Sequence, residues 1–359
     1  MADLTAPAVT TTGRRRDRFS RARQAHAVLA VLLGLVGVYS LTVGATNVAL
    51  LEALWKLLSG QELTNIERIV LWDIRLPRLI QGIFVGAALG ISGAVLQGLF
   101  RNPLADPALV GVSAGASLGA ISAIVLGGLI PAVIQAVIGD YLVTLAAFLG
   151  GWVSILLLYA ISTRSGRTSV ATMLLAGIAI GALSAAASGV LIFMANDQQL
   201  RDLTFWQLGS LAGASWPKVL ASAPVILAAL TLAVSLGRGL NGLALGEATA
   251  MHIGIPVERV KNIAILTVAA AVGAAVAISG GIGFIGIVVP HILRLVTGPD
   301  HRTLLINAGF LGAVLLIIAD MISRVVVSPA ELPIGIVTAI LGSPVFLWIL
   351  LRRRSLVDL

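Results

Sequence analysis

The sequence predicts an all-α, polytopic membrane protein of about ten transmembrane helices, and three observations carry that prediction. The 359 residues are 58% apolar and only 11% charged, with a mean hydropathy of +1.02, whereas a soluble chain carries roughly a quarter charged residues. The apolar residues form long unbroken runs without the period-2 alternation of barrel strands, which leaves helices as the way to satisfy the backbone inside a bilayer. The basic residues gather at the ends: six arginines lie between Arg14 and Arg23, and Arg352, Arg353 and Arg354 stand near the C-terminus. Lys and Arg accumulate on the cytoplasmic side of a membrane, so both termini are expected inside and the span count even. The formal charge of +8 is therefore a topology signal, and no nucleic-acid partner is expected.

Taken in order, residues 1–26 read as a basic cytoplasmic tail whose long charged head and lack of a convincing cleavage site argue against a signal peptide. Spans of about 20 apolar residues are then expected at 27–46, 78–100, 108–130, 141–161, 170–194, 217–236, 262–279, 283–296, 303–324 and 334–351. Residues 27–351 thus form a single transmembrane domain, followed by a cytoplasmic tail at 352–359. The eighth span, "GFIGIVVPHILRL", is too short to cross alone and contains Pro290, so it is expected as a partial helix sheltered by its neighbours. Threading the spans from an inside N-terminus places 162–169, 238–262 and 297–302 in the cytoplasm. The same threading puts the net acidic loop 47–74 outside. No repeat of 20–50 residues is visible.

Small residues recur at four-residue spacing: Gly82, Gly86 and Gly90 in the second span, Gly111, Gly115 and Gly119 in the third. Each trio would form a smooth ridge that another helix can approach closely, as plain packing or as a surface lining a path. The stretch "FRNPLADPALVG" breaks the apolar pattern between those two spans with Arg101, Asn102, Pro103, Asp106 and Pro107, and reads as a turn. "GLNGLALGEATAMHIGIPVERVKN" reads as two short helices at the membrane surface, punctuated by glycines at 242, 246 and 254.

No catalytic constellation is present, and no metal site. His26, His252, His291 and His301 are scattered, and the absence of cysteine removes disulfides and thiolate ligands. Charges near membrane depth are costly and tend to be kept for function or pairing. Arg75 and Arg78 enter the second span, and Arg324 lies near the outer end of the ninth, one helical turn after Asp320. Interfacial snorkelling, an i, i+4 pair with Asp320, and a set of cationic docking points for an acidic partner are the alternatives. An ion-driven secondary transporter would need acidic residues or histidines at mid-membrane, and here the acids lie mostly in loops or at span ends.

Five segments together resemble the FecCD-type permease subunits of binding-protein-dependent ABC importers for iron complexes and cobalamin. They are "RLPRLIQGIFVGAALGISGAVLQGLFRNPLADPALVGVSAGASLGA" (75–120), "LLAGIAIGALSAAASG" (174–189), "LALGEATAMHIGIPVERVKN" (243–262), "GGIGFIGIVVPHILRLVTGPDHRTLL" (280–305) and "AELPIGIVTAILGSPVFLWILLRR" (330–353). The resemblance implies the type II ABC importer permease fold, a homodimer in the bacterial inner membrane, two ABC ATPase subunits carrying ATP and Mg, and a periplasmic solute-binding protein. It implies no enzyme activity and no cofactor in this chain.

It also implies residue roles. Arg75, Arg78 and Arg324 match positions that dock the binding protein. Glu247 and Gly254 match the ATPase-coupling element, here with the glutamate-to-glycine spacing one residue longer than the "EAA" motif of other ABC importers. Asn102 and Leu104 match one inner gate segment. The second gate segment corresponds to Ser169, Val170 and Ala171, more apolar than the hydroxylated stretch of the cobalamin member, with Val170 and Ala171 as its gate residues. The cargo implied is an iron complex. "NDQQLRDLTFWQLGSLAGASW" (196–216) resembles haem permeases more than cobalamin ones, so haem is favoured over a ferric siderophore, and cobalamin comes last.

Overall fold

The computed structural model describes residues 11–44, 52–53, 55–56, 59–107, 111–164 and 167–354. The tails 1–10 and 355–359, and with them most of the terminal basic clusters' side chains, lie outside the described residues, as do 108–110 at the expected start of the third span.

The described residues open with α1 (Thr11–Ser40), so helix covers much of the expected tail. A capped helical turn (Asn65–Arg68) and a π-helical segment (Ile69–Arg75) then lead without a break into α2 (Leu76–Leu99). This corrects the reading of 47–74 as wholly loop. Thr64 accepts from the Glu67 amide while the Glu67 side chain accepts from the Thr64 amide, a capping box that starts the helix at Asn65, well ahead of the span expected at 78–100. The continuous stretch Asn65–Leu99 is 35 residues, about 50 Å at helical rise and longer than a bilayer core.

There follow α3 (Val112–Leu126), the short α4 (Ala132–Ile138) and α5 (Leu142–Ser162). A two-stranded hairpin pairs β1 (Thr163–Arg164) with β2 (Arg167–Thr168), and α6 (Val170–Met194) and the surface helix α7 (Asp197–Leu208) come next. The chain continues through α8 (Trp216–Ser235), the short α9 (Gly237–Leu243) and α10 (Glu247–His252), and α11 (Val257–Ser279). It closes with α12 (Ile285–Thr297), α13 (His301–Val325) and α14 (Ile334–Arg354).

Among the described residues, eight helices are long and apolar enough to cross a membrane, and two shorter apolar helices fall at Ile285–Thr297 and Ile334–Trp348. These are the ten expected elements, with α12 the partial helix predicted from its length. The chain is a multi-pass membrane protein.

The core is made by α2, α11 and α13, the spans most buried within the chain, while α1, α5, α6 and α8 turn much of their surface outward. Glycine decides this arrangement. A Cβ on Gly86 would meet the Cα of Ala313 at 2.7 Å and overlap the Gly312 carbonyl, and one on Gly90 would overlap the carbonyl of Ala308. α2 and α13 therefore touch backbone to backbone, which small residues alone allow. Gly115 and Gly119 do the same for α3 against Gly150 and Ala146 of α5. Gly111 does not belong to that ridge. Its φ is +77° and it stands at the N-cap of α3, so its glycine answers a left-handed backbone rather than a neighbouring helix.

Candidate functional site

At the end of the bundle where α2 begins and α13 ends, the three predicted arginines come together, but as buried groups only 5–7% exposed. Arg78 grips Asp320 through Nε and Nη2, at 3.0 Å and 2.8 Å to Oδ1. Its other edge is bidentate to Glu331, at 2.8 Å and 2.9 Å. Arg324 reaches the same Asp320 at 2.9 Å and donates to the carbonyls of Ser40 at 3.2 Å and Val43 at 2.8 Å. Arg75 donates to the Leu41 carbonyl at 2.6 Å.

Arg75 and Arg324 thus satisfy the orphan carbonyls at the C-terminal end of α1, where a cation also meets the negative end of the helix dipole. The i, i+4 pair of Arg324 with Asp320 is formed, and all three guanidiniums are turned to internal acceptors, which leaves little of each open at the surface. Glu331 is the half-open part of the cluster, with its side chain 36% exposed.

At the opposite end lie the two short helices expected at 238–262. Gly246 and Gly254 both have positive φ. After α10, the Gly254 amide donates to Met251 and the Ile255 amide to Ala250, each at 3.0 Å. This is the Schellman pattern that glycine permits at a helix end, so Gly254 is accounted for by helix termination. Glu247 opens α10 half-exposed and bonds the buried Lys261 ammonium at 2.7 Å.

Asn102 accepts the Leu104 amide on Oδ1 at 3.0 Å, an Asx turn that folds 101–107 back against the start of α12. There a Cβ on Gly286 would lie 3.0 Å from Pro107 and 3.1 Å from Asp106. Val170 and Ala171 open α6, whose N-cap Ser169 accepts the Thr172 amide. No hydrogen bond among the described residues joins the 102–104 turn to 170–171.

This arrangement spans residues that a single sequence profile covers: that of the FecCD transport family matches 32–352. The chain belongs to the FecCD transport family. Among its relatives, the hemin transport system permease HmuU of Yersinia pestis is 42% identical over 328 residues, covering 91% of this chain and 95% of the relative. The vitamin B12 import permease BtuC of Shigella boydii is 40% identical over 329 residues, covering 91% and 94%. A solved inward-facing structure described as a metal-chelate type ABC transporter superposes with a TM-score of 0.78 at 30% identity, over 90% of this chain and 97% of that one.

Three features of this FecCD chain were not read from its sequence. One is Lys261, buried beside α10. Another is Glu331, the outward partner of Arg78. The last is the contact of Arg294 with Gln97, whose amide also donates to the Gly286 carbonyl at 3.1 Å and so fixes the partial helix α12 against α2. The i, i+3 spacing of Glu258 and Lys261 was the one local signal available.

Proposed function

We propose that this chain is the permease subunit of an ABC importer that carries haem across the bacterial inner membrane. In this reading it works as a homodimer with both termini cytoplasmic, driven by two ATPase subunits and fed by a periplasmic solute-binding protein. The observation that carries the cargo is the 42% identity to a hemin permease across nearly the full length of both chains. The cobalamin permease of Halobacterium salinarum, also 42% identical but over 80% of this chain and 74% of its own length, supports cobalamin as the second reading, with a ferric siderophore as the third.

Charge placement supports an external energy source. Asp320 is the buried carboxylate of the described residues, and it is spent on two arginines near one end of the bundle. An ion-coupled carrier needs such a group available along its path. ATP binding on partner subunits would instead bias two conformations of the permease by its differential affinity for them, with α9 and α10 receiving the motion through Glu247. The Asn102–Leu104 turn and Val170–Ala171 would act as gates. At the other end, an acidic group on the binding protein would dock by replacing Glu331 on the outer edge of Arg78.

The test is uptake by proteoliposomes holding the permease, its ATPase and its binding protein, with haem, a ferric siderophore and cobalamin offered in parallel. Haem uptake that requires ATP is the expected result. Uptake without the ATPase would overturn the ABC reading, and ATP-driven uptake of another chelate alone would overturn the cargo.

A further inference from the structure

The Lys261 side chain is 3% exposed, yet a lysine is seldom buried without several partners. It has three, each from a different piece of backbone. Its Nζ donates to Glu247 of α10 at 2.7 Å, to Glu258 one turn back on α11 at 3.1 Å, and to the main-chain carbonyl of Thr168 in β2 at 2.9 Å. Three donors meet three acceptors, which uses the whole hydrogen-bonding capacity of an ammonium. Thr168 is held a second and third time, its amide donating to Glu258 at 2.8 Å and its hydroxyl to Asn262 at 3.2 Å. Thr168 is also buried, and the next residue, Ser169, is the N-cap of α6, accepting the Thr172 amide, with Val170 and Ala171 standing between the two.

We infer that Lys261 is a positioning residue that transmits displacement of the α10 coupling helix to the entry of α6, by clamping Glu247 and the Thr168 backbone on one ammonium. The inference rests on the reading of α10 as the ATPase-contacting element. A movement of α10 strong enough to carry Glu247 must either drag Thr168 or leave a buried ammonium short of an acceptor, and stranding a buried charge is strongly unfavourable. Dragging Thr168 moves the first turn of α6. Glu247 and Glu258 are themselves about 40% exposed, so removing the ammonium leaves both carboxylates in water and the fold intact.

The chain holds no cysteine, which makes paired spin labels free of background. Labels go on Arg164→Cys and His252→Cys, both exposed, in the full-length permease in nanodiscs. A narrow distance distribution is expected for the parent and for Lys261→Arg. At least a twofold broadening is expected for Lys261→Met; an unchanged distribution would overturn the clamp.

Uptake per ATP hydrolysed is then measured in the assembled importer. Lys261→Met should lower that ratio about tenfold while ATPase co-purification and basal hydrolysis stay within twofold, and Lys261→Arg should restore it to within about threefold of the parent. A broadened distance with an unchanged ratio would overturn transmission. Failure of the parent to couple to any ATPase would instead sink the importer reading, and the label distances would still decide the clamp.

Discussion

Arg78 and Asp320 are 242 residues apart in sequence and meet through a two-pronged contact, Nε and Nη2 of the guanidinium both lying within 3.0 Å of one carboxylate oxygen. The same carboxylate also faces Arg324 at 2.9 Å, so one buried anion serves two buried cations. Breaking a buried pair by removing one partner costs about 3–5 kcal/mol, because the survivor is left uncompensated. Asp320→Ala should therefore destabilise the protein by roughly that amount in a denaturant or thermal unfolding series in detergent. A loss below about 1 kcal/mol would show that water reaches both arginines.

Glu331 shares Arg78 but is far more open, and exposed pairs are worth about 0–1 kcal/mol. Glu331→Ala should leave stability nearly unchanged and uncover the outer edge of Arg78. If an acid on the binding protein docks there, the variant should bind it several-fold more tightly at low salt, with the gain fading as salt screens the charges. Unchanged or weaker association would remove Arg78 from the docking surface. Reversal of Arg78 to Glu is a poorer probe, since it would set a third acid against Asp320 and Glu331.

The bilayer makes the spans legible, because each needs about 20 apolar residues and any charge interrupts the run. It left the extension before Leu76 unread, because its start is set by the polar Thr64–Glu67 box rather than by hydropathy. The surface helix α7 was missed for the same reason, although Asn196 and Gln199 form another capping box that sits in the sequence as N-x-x-Q. The Asp320–Arg324 pair was visible as an i, i+4 spacing. The bond of Asp320 to Arg78 and that of Lys261 to Thr168 were not, because only the packing of distant helices creates them. Gly111 shared the spacing of Gly115 and Gly119 but not their reason, and spacing carries no information about φ.

The glycines separate into those that admit a helix and those that do not. A Cβ at Gly115 would fall 2.5 Å from the Gly150 carbonyl and 2.7 Å from the Ser154 Cβ, so α3 and α5 must part to admit it. Gly115→Leu should cost several kcal/mol, in the range of overpacked cores, and lower the yield of folded permease. Gly34 on α1 has nothing within 4 Å of its Cβ position, and Gly34→Ala should be neutral or stabilising by up to about 1 kcal/mol. Thermal melts of the two variants side by side check both, and equal melting temperatures would contradict the close approach of α3 and α5.

Asp300 links pH to the end of the bundle where α13 starts. It caps that helix by accepting the Arg302 amide at 3.0 Å, pairs with the Arg302 guanidinium at 2.6 Å, and accepts from Asn241 at 2.7 Å. The bond to Arg302 is the largest influence holding its carboxyl down at about 2, below the ordinary value of about 3.9. A carboxyl depressed by folding stabilises the native state fully above its unfolded value and loses that contribution as pH falls through the folded one. The difference in unfolding free energy between the parent and Asp300→Asn should therefore be constant above pH 5 and shrink between about pH 4 and pH 2. Both side chains are partly exposed, so the difference should be on the order of 1 kcal/mol or less and smaller in high salt. Taking the difference cancels the titration of every other carboxylate. A value that stays flat from pH 5 to pH 2 would mean that Asp300 acts through hydrogen bonding alone, and that its charge contributes nothing to the α13 cap.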